Sequence, residues 1–296
     1  MVTPPDNSSL YKSAEGYHEV MEHYDASFQN MGIPYETKYV ETRFGPTHAV
    51  ISGNKDGKSI VLWHGGHGNS ASWIDSITAL APTYRVYAID TIGEMGKSAA
   101  SRPSRAGPAY GQWAADALEG LGLKRANMIG VSNGGWLILK LASVAPEKIG
   151  SAILMSAAGF RPLSIKFVLR FMVLHLTKSP AEVTRRFWEI LSPPDSPPDP
   201  GFLELFELTL REYRLSFGSP PTISSAEIRR LTAPTYLLMG QYEVTFNPYK
   251  VLERGLSLLP NVISAEIVPG VGHLMIHEQP DWVIARVISF LERYAV

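Results

Sequence analysis

Short β-branched runs alternate with helix-period patterns along most of this chain, and that alternation restricts its fold more than any other feature. Ser59 to Trp63, Arg85 to Ile89 and Asn127 to Val131 read as buried strands, with helical patterns such as Tyr110 to Leu121 between them. A βαβα order calls for a parallel sheet with helices on its faces, because parallel neighbours are joined by crossovers. The order continues with a helix from about Gly134 to Ala145 and a strand from Ser151 to Ser156. Two more strands follow much later, Thr235 to Met239 and Ile263 to Val268, each leading into a helix, near Pro248 to Leu259 and Pro280 to Tyr294. Between Ser156 and Thr235 lie roughly 75 residues with only helical and loop patterns, far beyond an ordinary crossover. They predict a helical cap inserted into the sheet domain, with 159–222 as cap and 1–158 plus 223–296 as core.

Within the insert, Ser179-Pro180-Ala181-Glu182 combines a capping box with proline at the first helical position. Val183, Phe187, Ile190 and Leu191 then repeat at helical spacing. The stretch from Leu191 to Gly201 holds five prolines and reads as a loop. A second capping box, Ser224 to Glu227, opens a short helix leading back to the sheet. Leu163 to Leu176 is apolar on nearly every face, with Phe167, Phe171 and Met172 among its residues. That predicts either a helix with protein on one side and a substrate pocket on the other, or one buried wholly by other cap helices. Interrupted by Lys166, Arg170 and His175, the stretch is also short of the ~20 residues needed to span a bilayer. The N-terminal part reads as a helix around Ser13 to Gln29 and a strand near Thr37 to Arg43, with no legible role.

Lys and Arg number 27 against 28 Asp and Glu, with no run of like charge, which argues against a nucleic-acid binder or a polybasic membrane clamp. There is no cysteine, so thiol nucleophiles, disulfides and Cys-ligated metals are excluded, and the chemistry must come from Ser, His, Asp, Glu and backbone groups. No basic region followed by an apolar run marks a signal peptide, and the expected address is cytoplasmic.

Gly130-Val131-Ser132-Asn133-Gly134 fits G-x-S-x-G between a buried strand and a helix, the setting this motif requires. A sharp strand-to-helix turn lifts the Ser132 hydroxyl above the sheet. The helix N-terminus supplies amides where negative charge develops. A serine nucleophile needs a base, and the base needs an orienting group. Of eight histidines, His273 lies in Pro269-Gly270-Val271-Gly272-His273, directly after the last strand, and is the candidate base. His277 beside Glu278-Gln279-Pro280 reads as a structural polar group. His18, His23, His48 and His175 read as surface or core residues far from any βα loop. The loop after Thr235 to Met239 contains Glu243, the carboxylate just past a strand end between Ser132 and His273, and elimination makes it the candidate acid.

His64-Gly65-Gly66-His67 follows the strand ending at Trp63. In such a loop the Gly66 amide, with that of Asn133, would form an oxyanion hole. His64 reads as a loop scaffold and His67 as a pocket-wall residue. Neither has the spacing of a metal site.

Together these motifs resemble the α/β-hydrolase superfamily from about Thr42 to the C-terminus. Thr42-Arg43-Phe44-Gly45-x-Thr47-His48, the HGG loop, Tyr87 to Glu94 ending in Lys97-Ser98, and Glu278-Gln279-Pro280 resemble the bacillary carboxylesterases of the naproxen-esterase type. Asp90 to Ser98 is one residue longer than the usual D-x-x-G-x-G-x-S, with Met95 where the second glycine would fall. The resemblance implies a mostly parallel eight-stranded sheet flanked by helices, with an inserted helical cap. It also implies a Ser132, Glu243, His273 triad, Glu243 matching a Gly-x-x-Glu motif at Gly240. The implied activity is that of a cofactor-free serine carboxylesterase for compact hydrophobic esters. Independently of the resemblance, the apolar cap helix and the HGG loop make Phe167, Phe171, Met172 and His67 candidate substrate contacts, and no metal is expected. The same fold and triad leave open a carbon-carbon bond hydrolase, a perhydrolase, an acyltransferase or a non-catalytic ligand-binding protein.

Overall fold

The computed structural model describes residues 2–215 and 220–296, so residues 216–219 of the predicted cap lie outside the described part. From the N-terminus the elements are α1 (Ala14–Gln29), β1 (Tyr35–Val40), β2 (Thr47–Gly53), β3 (Ser59–Trp63), α2 (Ile74–Leu80), β4 (Arg85–Ile89) and α3 (Ala109–Gly120). Then come β5 (Ala126–Val131), α4 (Asn133–Val144), β6 (Ile149–Met155), α5 (Ile165–Thr177), α6 (Pro180–Leu191), α7 (Pro200–Glu212) and α8 (Ser225–Ile228). The chain closes with β7 (Thr235–Gly240), α9 (Pro248–Leu258), β8 (Val262–Val268), α10 (Met275–Glu278) and α11 (Pro280–Tyr294).

The strands form one eight-stranded sheet in the order β1-β2-β4-β3-β5-β6-β7-β8. β2 runs antiparallel to β1 and β4, and every other pairing is parallel. β5, β6 and β7 are buried along their whole length, as parallel strands covered on both faces must be. Alternate side chains feed two cores. Val61 and Trp63 of β3 pack with Trp113, Trp136 and Val251 from α3, α4 and α9. Ile60 and Leu62 pack on the opposite face with Tyr24, Trp73, Ile77 and Val287 from α1, the turn before α2, α2 and α11. From β3 the chain moves outward to β4 and then returns past β3 to β5. Above β3 and β5 it therefore leaves a crevice at the C-terminal strand ends, where ligands of such sheets bind.

Most predicted elements agree with the observed ones to within a residue or two. The strand near Thr37 to Arg43 instead begins at Tyr35 and stops at Val40. The Thr42 hydroxyl, bonded to the Gly45 carbonyl and accepting from the Phe44 amide, folds the next residues into a turn that leaves the sheet edge. Helices α5, α6 and α7 occupy the stretch between β6 and β7 where the inserted cap was expected. Ser179 caps α6 as its motif indicates, and Ser224 with Glu227 closes a reciprocal capping box at α8.

The N-terminal segment proves to be a brace. The Asn7 side chain donates to the Gly96 and Ser98 carbonyls at 2.6 and 3.0 Å, and Tyr24 donates to Asp90 at 3.0 Å. Tyr11 forms a backbone bridge to Tyr213 just beyond α7. Met95, the departure from the usual D-x-x-G-x-G-x-S pattern, is buried among Leu10, Tyr11, Val20, Leu208 and Tyr213. The extra residue thus ties the loop after β4 to both the N-terminus and α7. Among the described residues no helix is long and apolar enough to cross a membrane.

Candidate active site

Ser132 sits on the turn between β5 and α4 with φ 52° and ψ −111°, a conformation costly for a non-glycine residue. Its amide donates to Met155 on β6 at 2.9 Å, and its carbonyl accepts from Ala158 at 3.0 Å, which hold the turn in place. The turn is possible only because its glycines are bare. A Cβ on Gly134 would stand 1.9 Å from the Trp63 carbonyl oxygen, and one on Gly130 2.5 Å from the Gly134 carbonyl carbon. Both obstacles are backbone, so neither can swing aside. Gly134→Ala should therefore force α4 off β3 and cost at least the 1–3 kcal/mol, roughly, of ordinary overpacking. An unchanged urea midpoint for this variant would contradict the close approach.

The loop after β3 lies against this turn. Cβ atoms built on Gly65 and Gly66 would come within 3.9 Å of Ser132 Cβ and 3.7 Å of Asn133 Cβ. The two candidate oxyanion-hole residues, Gly66 and Asn133, are thus neighbours. The Thr91 amide donates to His64 Nε2 at 2.9 Å, so Nδ1 carries the proton and donates to the Gly65 carbonyl at 2.7 Å. His64 is in this way a rigid scaffold for the loop. His67 has φ 61°, and its amide donates to Glu94 at 3.2 Å. Its ring meets Tyr213 at 6.3 Å, facing the segment after α7.

Glu243 follows β7 and His273 follows β8, on neighbouring parallel strands whose C-terminal ends share the sheet edge with β5. His273 Nδ1 bonds to Glu243 Oε2 at 2.6 Å, with both side chains buried. The other carboxylate oxygen, Oε1, accepts from the Thr245 amide at 2.7 Å and from the Thr245 hydroxyl. Burial pushes the Glu243 carboxyl up, but the adjacent imidazole and Thr245 outweigh it and hold the group below its usual range. Burial likewise pushes the His273 imidazole down, and the charge and hydrogen bond of Glu243, with the charge of Glu278, more than offset it, leaving His273 above its ordinary value. With Nδ1 engaged by Glu243, Nε2 is the nitrogen left for a hydroxyl.

The helices between β6 and β7 hold these loops. The His273 amide donates to the Leu191 carbonyl at the end of α6 at 2.7 Å, and the Ser164 amide, at the cap of α5, donates to the Thr245 carbonyl at 2.8 Å. Glu278 accepts from the Gly272 and Leu274 amides on either side of His273. Burial nevertheless leaves its carboxyl above the ordinary range. The roles of Thr245 and Glu278 are not legible in the sequence. A Thr two residues after an acid is the local signal for the first, since such hydroxyls bond nearby backbone and carboxylates. For Glu278 the sequence shows its place beside a helix start and within Glu278-Gln279-Pro280, but not its bonds to the loop of His273.

His277 pairs with Asp199 at 3.0 Å, a bond that ties α10 to the cap of α7. His48 departs from its expected setting. It is not remote from the βα loops, because its Nδ1 lies 2.9 Å from Asp90 Oδ2 at the end of β4. Asp90 also accepts from Tyr24, Ser70 and Lys97. Burial alone would raise its carboxyl, yet His48, by hydrogen bond and charge, and the Lys97 amide drive it far below the usual range.

Helix α5 sends its candidate residues to two sides. Phe167 and Phe171 turn inward onto Phe187 of α6, whose ring stacks on Phe206 of α7 at 4.5 Å. Met172, expected at the substrate pocket, is 46% exposed, and it lies on a face open to solvent. The apolar periodicity was real. Helix α6 covers one side only, and the second apolar side is exposed.

A profile of the alpha/beta hydrolase family matches residues 60–286 of the chain. Carboxylesterase YbfK of Bacillus subtilis is 32% identical over 277 residues, which cover 90% of this chain and 92% of that protein. The uncharacterized carboxylesterase nap of the same organism is 31% identical over 275 residues, covering 90% of each. Among solved structures, naproxen esterase from Bacillus subtilis superposes with a TM-score of 0.83 at 26% identity, covering 95% of this chain and 99% of that one. Carboxylesterase CesB (YbfK) from the same organism gives 0.82 at 30% identity, covering 94% and 99%.

Proposed function

Since the chain belongs to the alpha/beta hydrolase family, we propose that it is a serine carboxylesterase using Ser132, His273 and Glu243. The observation that carries this reading is the buried 2.6 Å bond from His273 Nδ1 to Glu243. It fixes the tautomer that leaves Nε2 free to accept a proton, and it favours the imidazolium that forms. Ser132 Oγ attacks the ester carbonyl as His273 Nε2 takes its proton. The amides of Gly66 and Asn133 receive the oxyanion. His273 then protonates the departing alkoxide, leaving an acyl group on Ser132. Water, deprotonated by the same nitrogen, releases the acid. The names of the similar proteins support ester substrates. The name of naproxen esterase supports an apolar acyl group. The sheet core with an inserted cap over 159–222 is part of the same proposal.

A panel of nitrophenyl esters of increasing acyl size, run with and without a serine-directed phosphonate, tests the reading. The expected result is turnover, a preference for apolar acyl groups and a single phosphonate label on Ser132. Labelling elsewhere, or no turnover of any ester, would overturn it. The pH profile adds an independent check. Only neutral imidazole accepts the serine proton, and Glu243 raises the His273 pKa, so at any given pH more of the base is protonated. The acid limb of kcat/KM should therefore lie above ~6.5, the value for an unperturbed histidine. A midpoint below that value would mean the carboxylate does not act on His273.

A further inference from the structure

The side of α5 that α6 leaves uncovered is apolar and open. Ile165 is 68% exposed, Leu169 55%, Met172 46%, Val173 60% and Leu176 78%. At helical periodicity Ile165, Leu169, Met172 and Leu176 fall on one stripe with Val173 at its edge, and the exposed Lys166 and Arg170 lie next to Val173. The carboxylates of α6 are already engaged, Glu182 by Lys178 and Glu189 by Arg185 and Arg186. Among the described residues neither Lys166 nor Arg170 has a carboxylate in ion-pair range. No Asp or Glu occurs between Glu147 and Glu182, while Lys148, Arg161, Lys166, Arg170 and Lys178 all fall in that interval. The overall charge of −1 conceals this local excess.

We propose that α5 docks on a bilayer surface carrying anionic headgroups. The charge selects this occupant. A second copy of the chain would bring Lys166 and Arg170 towards their own counterparts, whereas an anionic lipid surface neutralises them. An apolar stripe flanked by Lys and Arg is the arrangement that lies in the headgroup region with its apolar side in the acyl boundary. At 13 residues, or about 20 Å, the helix is too short to cross and long enough to lie flat. Its cap residue Ser164 is bonded to Thr245 beside Glu243, so docking sets the edge of the candidate site against the lipid.

Flotation of the full chain with vesicles tests the proposal. One set is pure phosphatidylcholine, and the other contains about one-third phosphatidylglycerol, since anionic lipid draws basic segments within a Debye length. The expected result is flotation with the phosphatidylglycerol vesicles alone, reduced at least tenfold in Leu169→Gln/Leu176→Gln and in Lys166→Glu/Arg170→Glu. Hydrolysis of a small soluble ester should be the same in both variants as in the parent, which shows that they remain folded. The proposal fails if the parent floats with neither vesicle, or if both variants float as it does. It also fails if sedimentation velocity shows a dimer that Leu169→Gln/Leu176→Gln dissociates, because a second copy then covers the face.

Discussion

Replacing Ser132 with alanine should lower ester turnover by about 10⁴- to 10⁶-fold while the protein stays folded. The change removes one oxygen, and the strained turn is held by backbone bonds to Met155 and Ala158 that alanine keeps. Thermal and urea unfolding should therefore be close to those of the parent. What disappears is the atom that carries the acyl group. The residual rate, still roughly 10³- to 10⁴-fold above that of water, would come from the oxyanion-hole amides and from binding. His273→Ala should lose about as much, and the double variant little more than either, because nucleophile and base act on one proton transfer. Turnover within tenfold of the parent in Ser132→Ala would remove the acyl-enzyme route.

The sheet was legible because it is written in local patterns. Each buried strand is a short apolar run, and Gly130-x-Ser132-x-Gly134 marks the one turn where β5 and α4 touch β3. The candidate triad was legible for the same reason, since each member follows a strand end, and strand ends can be counted. Contacts between segments far apart in sequence were not. Nothing near Met95 says that it will be buried against Leu10 and Leu208, and nothing in Ser13 to Gln29 says that Tyr24 will reach Asp90. Helical periodicity shows which face of α5 is apolar but not what covers it. Hence the sequence groups Phe167, Phe171 and Met172 on one helix without showing that the two rings pack on Phe187 while Met172 stands exposed. The supports of His273, namely Thr245, Glu278 and the Leu191 carbonyl, carry no motif that names this role, because a backbone carbonyl, a loop threonine or a glutamate beside a helix start becomes significant only where the fold delivers it.

Glu243→Gln should reduce kcat/KM by about 10³- to 10⁴-fold, and the hydrogen bonds around the carboxylate say why so small a change costs so much. The Thr245 amide donates to Oε1, so in the variant the oxygen of the new amide remains at that position. The NH₂ group must then face His273 Nδ1, where Oε2 stands in the parent. An NH₂ can only donate, so Nδ1 becomes the acceptor and the imidazole proton moves to Nε2. That is the tautomer unable to take a proton from Ser132. The second consequence has a definite sign. Without the Glu243 carboxylate the largest influence left on His273 is burial, which lowers its pKa against the smaller opposing charge of Glu278, so the acid limb of the remaining activity should move below that of the parent. Glu243→Asp keeps the charge but draws the oxygens back by one methylene from a 2.6 Å contact, so its loss should be smaller and its acid limb should stay nearer the parent's. The two variants together separate an acid that sets tautomer and charge from one that only packs. If Glu243→Gln kept activity within tenfold and left the acid limb in place, the orienting group of His273 would have to be sought elsewhere, although Asp90, with its oxygens bonded to Tyr24, His48, Ser70 and Lys97, has little capacity left to supply it.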